Sequence, residues 1–266
     1  MAERLSVSDL TVGYRRRLVI DRLSLPPIGG GEVTALIGPN GAGKSTLLRA
    51  LAGLQPARGS VRLGGKELLG LAPERHAAHV SYMPQSVPAR VALRVLEAVI
   101  SSLMASPLPD LGRDSAAVRR RAMETLDRVG IGDLALEALD ELSGGQRQLV
   151  SLAMSLARNP QVLLLDEPTS ALDLHHQFRV MTLLSDLARE RETVTVVVLH
   201  DLNLAAAHAD RVMVLAGGRL AGHGTPLEAL TADILSDVYR VRARIENSAS
   251  GRPQIVVEGV TGVTAA

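Results

Sequence analysis

Short apolar runs separated by amphipathic segments dominate the chain, and this pattern predicts an α/β protein. Four runs are apolar at nearly every position, as expected for strands that are buried on both faces of a sheet. They span residues 33–37, 162–165, 193–199 and 212–215. Residues 4–10 instead alternate apolar and polar positions, which favours a strand with one exposed face. Shorter strands are predicted at 23–25, 59–63 and 80–83.

Helical spacing dominates the middle of the chain. Apolar positions recur at the spacing of one helix face at Val95, Leu96, Val99, Ile100 and Leu103, and again at Val118, Ala122, Leu126 and Val129. Pro107 and Pro109 separate these two predicted helices, Asp114 can cap the second, and Gly130 can end it. A third helix is predicted from about residue 145 to about residue 158, before Asn159-Pro160.

Strand and helix patterns alternate again after residue 160. Asp173 can cap a helix whose apolar positions include Phe178, Met181, Leu184 and Leu187. Residues 225–228 form a capping box with proline at the first helical position, and residues 241–246 and 254–258 suggest a hairpin. We therefore expect one domain, in which a helical block of residues 86–156 is inserted into an α/β lobe. That lobe would be formed by residues 1–85 and 157–266.

Composition excludes several classes of protein. The chain has 266 residues, of which 46% are hydrophobic, but no apolar run approaches the 18 residues of a membrane-spanning helix. The first residues show no apolar signal-peptide segment and the chain has no cysteine, so we expect a cytosolic setting. A net charge of +1, with one Phe, three Tyr and no Trp, argues against a nucleic-acid partner.

The strongest chemical signal follows the first fully apolar strand. Residues Gly38, Pro39, Asn40, Gly41, Ala42, Gly43, Lys44, Ser45 and Thr46 fit the phosphate-binding pattern G-x-x-x-x-G-K-[ST]. Its glycines let backbone N–H groups approach phosphate oxygens, and the helix that follows adds its positive end. Lys44 can reach the β- and γ-phosphates, and Ser45 can bind Mg²⁺. A glycine-rich turn with a surface lysine is the alternative, and the agreement of strand, motif and helix argues against it.

Two carboxylates end the apolar strand at 162–165. Asp166 stands where α/β sheets bind ligands, and it can hold Mg²⁺ directly or through water. Glu167 can accept a proton from an attacking water molecule. The alternative is an acidic pair that opens a surface turn before Pro168, but the phosphate-binding loop favours the functional interpretation.

A second glycine-containing helix start lies at Leu142-Ser143-Gly144-Gly145-Gln146. Ser143 can cap the helix, and the two glycines expose N–H groups beside its positive end. This is a second candidate phosphate site, without a lysine, in a chain that has one phosphate-binding loop. Its simplest use is to contact the γ-phosphate of an ATP molecule held by another subunit. The alternative is an ordinary helix start.

Together these motifs resemble those of the ABC-transporter ATPases. The phosphate-binding loop, Leu142–Gln146, Asp166-Glu167, Ser170-Ala171-Leu172-Asp173 and His200 occur in that family's order. The resemblance spans nearly the whole chain. It implies a P-loop NTPase fold with a RecA-like mixed sheet, an N-terminal antiparallel β subdomain and an inserted α-helical subdomain.

The resemblance also implies roles for residues outside the two phosphate motifs. Tyr14 would stack on adenine, Gln85 would touch Mg²⁺ or water and report to the membrane partner, and Asp173 would lie at a dimer interface. His200 would contact the γ-phosphate and, with Lys44 and Glu167, form the catalytic set. The remaining histidines match no motif, and we expect them to be exposed or hydrogen-bonded. They are His76, His79, His175, His176, His208 and His223.

The resemblance leaves four kinds of ABC protein to distinguish: importer ATPases, exporter ATPases, DNA-maintenance ATPases and translation factors. The DNA class places a long coiled coil or zinc modules between its motifs, whereas only residues 85–142 lie there in this chain. The translation class carries two cassettes. Residues 200–210, 217–220 and 224–226 resemble the ATPases of iron-chelate, haem and cobalamin importers. Zinc or manganese importers and multi-subunit exporters remain as alternatives, and so does an ATPase that acts alone.

The importer interpretation implies a set of partners. A second copy of the chain would form a head-to-tail dimer that encloses two ATP molecules with Mg²⁺. Two transmembrane permease subunits would bind the dimer, and a periplasmic or surface solute-binding protein would act through them. The chain would then lie peripherally on the cytoplasmic face of the cell's inner membrane.

Overall fold

The computed structural model describes residues 3–14, 17–85, 93–105, 115–248 and 251–261. Three expectations fall outside these residues: the helix break at Pro107 and Pro109, the cap at Asp114, and the first part of the helical block, 86–92.

The strands form a central sheet, an N-terminal sheet and a C-terminal hairpin. They are β1 Arg4–Tyr14, β2 Arg17–Gly29, β3 Val33–Ile37, β4 Ala57–Leu63, β5 Lys66–Glu67, β6 Val80–Met83, β7 Val162–Asp166, β8 Val194–Val198, β9 Arg211–Ala216, β10 Arg219–Gly224, β11 Val241–Asn247 and β12 Pro253–Val260. The central sheet has the order β10-β9-β3-β8-β7-β6, with all neighbours parallel except β10 and β9. The N-terminal sheet, β2-β1-β4-β5, is antiparallel. The predicted mixed sheet with an antiparallel N-terminal part is confirmed.

The helices include those that the sequence predicts at about 95–103, 118–129 and 145–158 and after Asp173, and three that it does not predict, at 73–77, 202–208 and 232–239. They are α1 Lys44–Leu51, α2 Pro73–Ala77, α3 Val95–Met104, α4 Ser115–Val129, α5 Gly144–Ala157, α6 Leu174–Arg191, α7 Leu202–His208, α8 Pro226–Ala229 and α9 Ala232–Tyr239. Helices α3, α4 and α5 pack on one another, and α4 ends at Gly130, whose φ is +85°. Among the described residues, no helix is both long and apolar enough to span a membrane. The division into an inserted block and a surrounding lobe stays a prediction.

The central sheet separates two hydrophobic cores. We call the first the helical-side core, because it joins one face of the sheet to α3, α4 and α5, and also to α6 and α7. The second, the β-side core, joins the other face to β1, β2 and α1. Neighbouring residues of β3 point to opposite faces, so Ile37 belongs to the helical-side core and Leu36 to the β-side core.

The C-terminal hairpin of β11 and β12 is attached to α7. The Asn203 side chain accepts a hydrogen bond from the Ile255 amide (2.7 Å) and donates one to the Ile255 carbonyl (3.2 Å). At the other end of α7, the Arg252 guanidinium donates to the Ala207 carbonyl. Ile255 is 5% exposed and belongs to the helical-side core. The hairpin is therefore part of the packed body of the protein.

Candidate active site

The phosphate-binding loop connects β3 to α1 through a backbone that requires glycine at two positions. Gly38 lies so close to the neighbouring strand β9 that a Cβ atom on it would approach the Leu215 carbonyl oxygen to 2.1 Å. Gly43, the N-cap of α1, has a φ of +103°. These two glycines allow the loop to fold tightly above the end of β3. The N-terminus of α1 therefore faces the space that the loop encloses, where it favours an anion.

The Lys44 side chain lies back along this loop. Its ammonium donates to the carbonyl oxygens of Gly38 (2.6 Å) and Pro39 (3.1 Å). Burial lowers the pKa of the Lys44 ammonium, while the nearby carboxylates of Glu167 and Asp166 oppose that shift. The charge of Lys44 is thus held within the loop, close to two carboxylates.

Strand β7 ends in Asp166, whose side chain is fully buried. Ser45 Oγ donates to Asp166 Oδ1 (3.0 Å), and the Tyr82 hydroxyl donates to Oδ2 (3.1 Å). Burial raises the pKa of the Asp166 carboxyl, and these two hydrogen bonds oppose the shift. Mg²⁺ in nucleotide sites takes one or two protein oxygens and completes its shell with phosphates and water. The Ser45 and Asp166 oxygens fit that donor set.

The next residue, Glu167, combines an unusual backbone conformation with two side-chain hydrogen bonds. Its φ is +57°, in the left-handed region that residues with a Cβ rarely adopt. Gln85 Nε2 donates to Glu167 Oε2 (2.7 Å), and His200 Nε2 donates to Oε1 (2.5 Å). Three residues that the sequence singled out separately, Gln85, Glu167 and His200, therefore meet at one carboxylate.

The phosphate-binding loop lines a cleft of about 730 Å³, whereas the fully buried Asp166 is not among the lining residues. Tyr14 lies at its edge with 41% of its surface exposed, and residues 40–46 form its floor. Gln85, Glu167 and His200 also line it. A cleft of this size is within the range of small-molecule sites. Its lining combines N–H groups, one lysine, one arginine and the Glu167 carboxylate, which suits a phosphate-bearing ligand with a metal ion.

The second glycine motif does not line this cleft. Ser143 caps α5 reciprocally with Gln146: the Gln146 amide donates to Ser143 Oγ (3.2 Å), and the Ser143 amide donates to the Gln146 side chain (2.8 Å). Gly144 and Gly145 form the first turn of α5. Asp173 caps α6 through the His176 amide (2.9 Å) and is exposed. The ATP-binding roles of these residues stay predictions.

Two residues outside the predicted site contact its two acidic residues: Tyr82 binds the Asp166 carboxylate, and Gln148 binds the backbone carbonyl of Glu167. Tyr82 lies on β6 and reaches Asp166 from the neighbouring strand. Gln148 lies on α5 and donates to the Glu167 carbonyl (2.5 Å). The sequence does draw attention to Gln148, because it is a polar residue within the largely apolar sequence of α5. It does not identify the hydrogen-bond partner, Glu167, which lies 19 residues further along the chain.

Two histidines differ from the expectation that they would be exposed or fully hydrogen-bonded. Nε2 of His76 and Nε2 of His208 are buried and have no hydrogen-bond partner among the described residues. Burial lowers the pKa of both imidazoles, so both rings favour the neutral form.

Comparison with known proteins gives a consistent family. The sequence model for ABC transporters matches residues 20–170. The ferric enterobactin transport ATP-binding protein FepC of Escherichia coli strain K12 is 38% identical over 99% of this chain and 97% of its own length. The iron(3+)-hydroxamate import ATP-binding protein FhuC of Bacillus subtilis strain 168 is 37% identical over 91% of this chain and 89% of its own length. The hemin import ATP-binding protein HmuV of Thermobifida fusca strain YX is 39% identical over 91% of this chain and 84% of its own length.

Solved structures agree with these sequence relatives. A metal-chelate type ABC transporter in an inward-facing conformation is 27% identical, with a TM-score of 0.80 over 96% of this chain and 97% of that chain. A dimeric ATP-binding cassette in a post-hydrolysis state, bound to ADP and phosphate, is 28% identical, with a TM-score of 0.76 over 84% and 98%. The cleft described above thus occurs in a fold whose relatives include ATP-binding cassettes.

Proposed function

This chain belongs to the ABC transporter family as an ATP-binding ATPase subunit, and from that premise we propose that it energises an importer for iron chelates or haem. The observation that carries the proposal is the meeting of Lys44, Asp166, Glu167 and His200 around one phosphate-binding loop. The relatives named for ferric enterobactin, iron(3+)-hydroxamate and hemin support the substrate class.

Binding of ATP uses the loop, the helix N-terminus and one aromatic ring. Lys44 and the N–H groups of residues 40–46 bind the β- and γ-phosphates, and Tyr14 stacks on adenine at the edge of the cleft. Ser45 and Asp166 would hold Mg²⁺, and Gln85 would contact the metal or its water. When bound, Mg²⁺ neutralises part of the phosphate charge and orients the γ-phosphate.

Hydrolysis then depends on Glu167 and His200. Glu167 takes a proton from the attacking water while the water oxygen forms a bond to the γ-phosphorus. The bond between that phosphorus and the bridging oxygen breaks, and the electron pair leaves with ADP. His200 orients the water and the γ-phosphate, and Lys44 stabilises the charge on the phosphoryl oxygens. Most of the catalysis is therefore positioning and electrostatic stabilisation.

A second copy of the chain completes each site. Ser143, Gly144, Gly145 and Gln146 at the start of α5 contact the γ-phosphate of the ATP that the other copy holds, and Asp173 lies at the interface. The dimeric cassette bound to ADP and phosphate supports this arrangement. Two permease subunits bind the dimer on the cytoplasmic face of the inner membrane, and a solute-binding protein delivers the cargo to them.

The experiment that tests the ATPase mechanism replaces the proposed base. Glu167→Gln keeps the size of the side chain but removes the proton acceptor, so we expect ATP binding to persist and kcat to fall by roughly 10²–10⁴-fold. The variant should also accumulate as an ATP-bound dimer in size-exclusion chromatography. Glu192→Gln is the matched control, because Glu192 shares the left-handed backbone (φ +52°) but is an exposed helix cap. Wild-type turnover in Glu167→Gln would refute the base assignment.

The cargo is tested with the whole transporter. The chain is purified from membranes with the subunits that accompany it and reconstituted in vesicles. Solute-binding protein is then added, loaded with a ferric siderophore, haem, cobalamin, zinc or manganese. We expect ferric siderophore or haem to stimulate ATP hydrolysis and to accumulate inside the vesicles. Stimulation by zinc or manganese alone, or export, would favour the alternatives. Full activity in a soluble fraction without membrane partners would contradict the transporter assignment.

A further inference from the structure

The side chain of Gln148 joins α5 to the segment that contains the proposed base. Gln148 is 6% exposed. Its Nε2 donates to the Glu167 carbonyl (2.5 Å) and to Ser170 Oγ (3.2 Å), and its Oε1 accepts from the Ala171 amide (2.8 Å). Both ends of the amide are therefore engaged, and all its partners lie between residues 167 and 171.

Gln148 binds the backbone of Glu167, whose conformation is unfavourable without stabilising contacts. Glu167 has a φ of +57°, which is unfavourable for a residue with a Cβ and persists where surrounding contacts hold it. This conformation determines the direction in which the Glu167 side chain leaves β7. A hydrogen bond to the Glu167 carbonyl fixes the peptide plane that follows Glu167 and restrains its ψ, so it helps to hold this backbone conformation and the position of the carboxylate.

A second contact shows that α5 and this segment pack tightly. A Cβ atom on Gly145 would lie 3.0 Å from the Ala171 carbonyl oxygen and 3.4 Å from the Leu172 side chain. The first turn of α5 thus lies directly against residues 171 and 172, one turn before Gln148. The hydrogen bonds of Gln148 are therefore part of a close and extended interface.

We propose that Gln148 is a positioning residue for hydrolysis, which holds the left-handed backbone of Glu167 so that its carboxylate can accept the proton of the attacking water. This inference rests on the proposed function, because it assumes that Glu167 is the base. The same side chain ties that base to the helix whose first turn, Ser143–Gln146, is expected to contact the ATP of a second copy.

The test uses steady-state ATP hydrolysis by the full-length chain. Gln148→Met keeps the approximate volume and removes the amide, and we expect kcat to fall about tenfold, short of the roughly 10²-fold that a misplacement of about 1 Å can cause. The KM for ATP should stay near the wild-type value, since Lys44 and the loop are untouched. Gln177→Met is the matched control, because Gln177 donates to the Thr169 and Leu172 carbonyls of the same segment but does not bind Glu167. It should keep wild-type kcat.

A double variant separates positioning from a general loss of structure. In the Glu167→Gln background the carboxylate is gone, so Gln148→Met should lower the residual rate no further. If Gln148→Met does not fold, Ser170→Ala removes one donor to the Glu167 carbonyl (3.1 Å), and kcat should fall roughly 2- to 10-fold.

Three results would overturn the inference while leaving the ATPase function intact. They are an unchanged kcat in the folded Gln148→Met variant or its Ser170→Ala substitute, an equal fall in Gln177→Met, and a further fall in the Glu167→Gln background. An inactive wild-type chain, or a Glu167→Gln variant as active as wild type, would instead contradict the proposed function.

Discussion

The attachment of the C-terminal hairpin to α7 makes a quantitative prediction. Asn203→Ala removes the two hydrogen bonds that join the Asn203 side chain to the Ile255 backbone, at 2.7 Å and 3.2 Å. Each such bond contributes about 0.5–1.5 kcal/mol net, so their loss should cost about 1–3 kcal/mol. The hairpin still keeps its packing through Ile255 and the Arg252 bond to Ala207. We therefore expect the hairpin to open more often without global unfolding.

The expected loss of stability of the hairpin attachment can be measured as a change in the rate of proteolysis. A loss of about 1–3 kcal/mol raises the open fraction of the hairpin by roughly 5- to 100-fold, since 1.4 kcal/mol is a factor of ten. Limited trypsin digestion, followed by mass spectrometry, reports that fraction when opening and closing are faster than cleavage. Arg242 and Arg244 lie in β11, and each is followed by a residue other than proline, so they provide the trypsin cleavage sites. Cleavage there should accelerate by the same factor.

Asn247→Ala is the control for this experiment. Asn247 is an exposed asparagine at the end of β11, so the chemical change is identical but the α7 contact remains. Equal cleavage rates for Asn203→Ala and wild type, or equal acceleration by Asn247→Ala, would refute the assignment of the two bonds as the main attachment.

Two further predictions concern the active site. Ser143→Arg places a long cation at the start of α5, and it should abolish ATP hydrolysis while leaving ATP binding by the monomer intact; retained hydrolysis would contradict the cross-subunit site. Asp166→Asn tests the direction of a pKa shift. Burial holds the pKa of the Asp166 carboxyl above its usual value of 3.8. The wild-type fold therefore loses stability as the pH rises from 3.8 through the raised pKa, because the folded state binds this proton more tightly than the unfolded state does. The variant lacks this loss, so its gain in urea midpoint over wild type should be larger at pH 7.5 than at pH 4, and an equal gain at both would refute the assignment.

Local features of the fold could be predicted because they depend on neighbouring residues. The buried strands, the α5 cap at Ser143 and the phosphate-binding loop all follow from periodicity, capping chemistry and glycine conformation. The strands predicted at 4–10 and 23–25 are too short, because β1 extends to Tyr14 and β2 begins at Arg17. The alternation of apolar and polar residues weakens towards Tyr14 in β1 and near Arg17 in β2. There the two strands remain paired through their backbone groups, which leave no side-chain pattern in the sequence.

Contacts between distant segments could not be predicted from periodicity. The sequence alone does not indicate that β6 pairs with β7 across the helical block, and the approach of Tyr82 to Asp166 depends on that pairing. Phe178 was counted among the apolar positions of α6, yet it is 51% exposed and packs edge-on against His208. In each case a partner far along the chain decides the environment.

The separation of the two cores by the central sheet has a consequence for how this protein can diverge. Ile37 and Leu36 are adjacent in sequence, but each contributes to a different core. Substitutions that reshape the outer faces of α3 and α4 for a different neighbour bear on the helical-side core. Helix α1, which carries Lys44 and Ser45, packs in the β-side core across the sheet. Because substitutions without shared partners tend to be additive, the outer surfaces of α3 and α4 can change without altering the shape of the phosphate-binding loop.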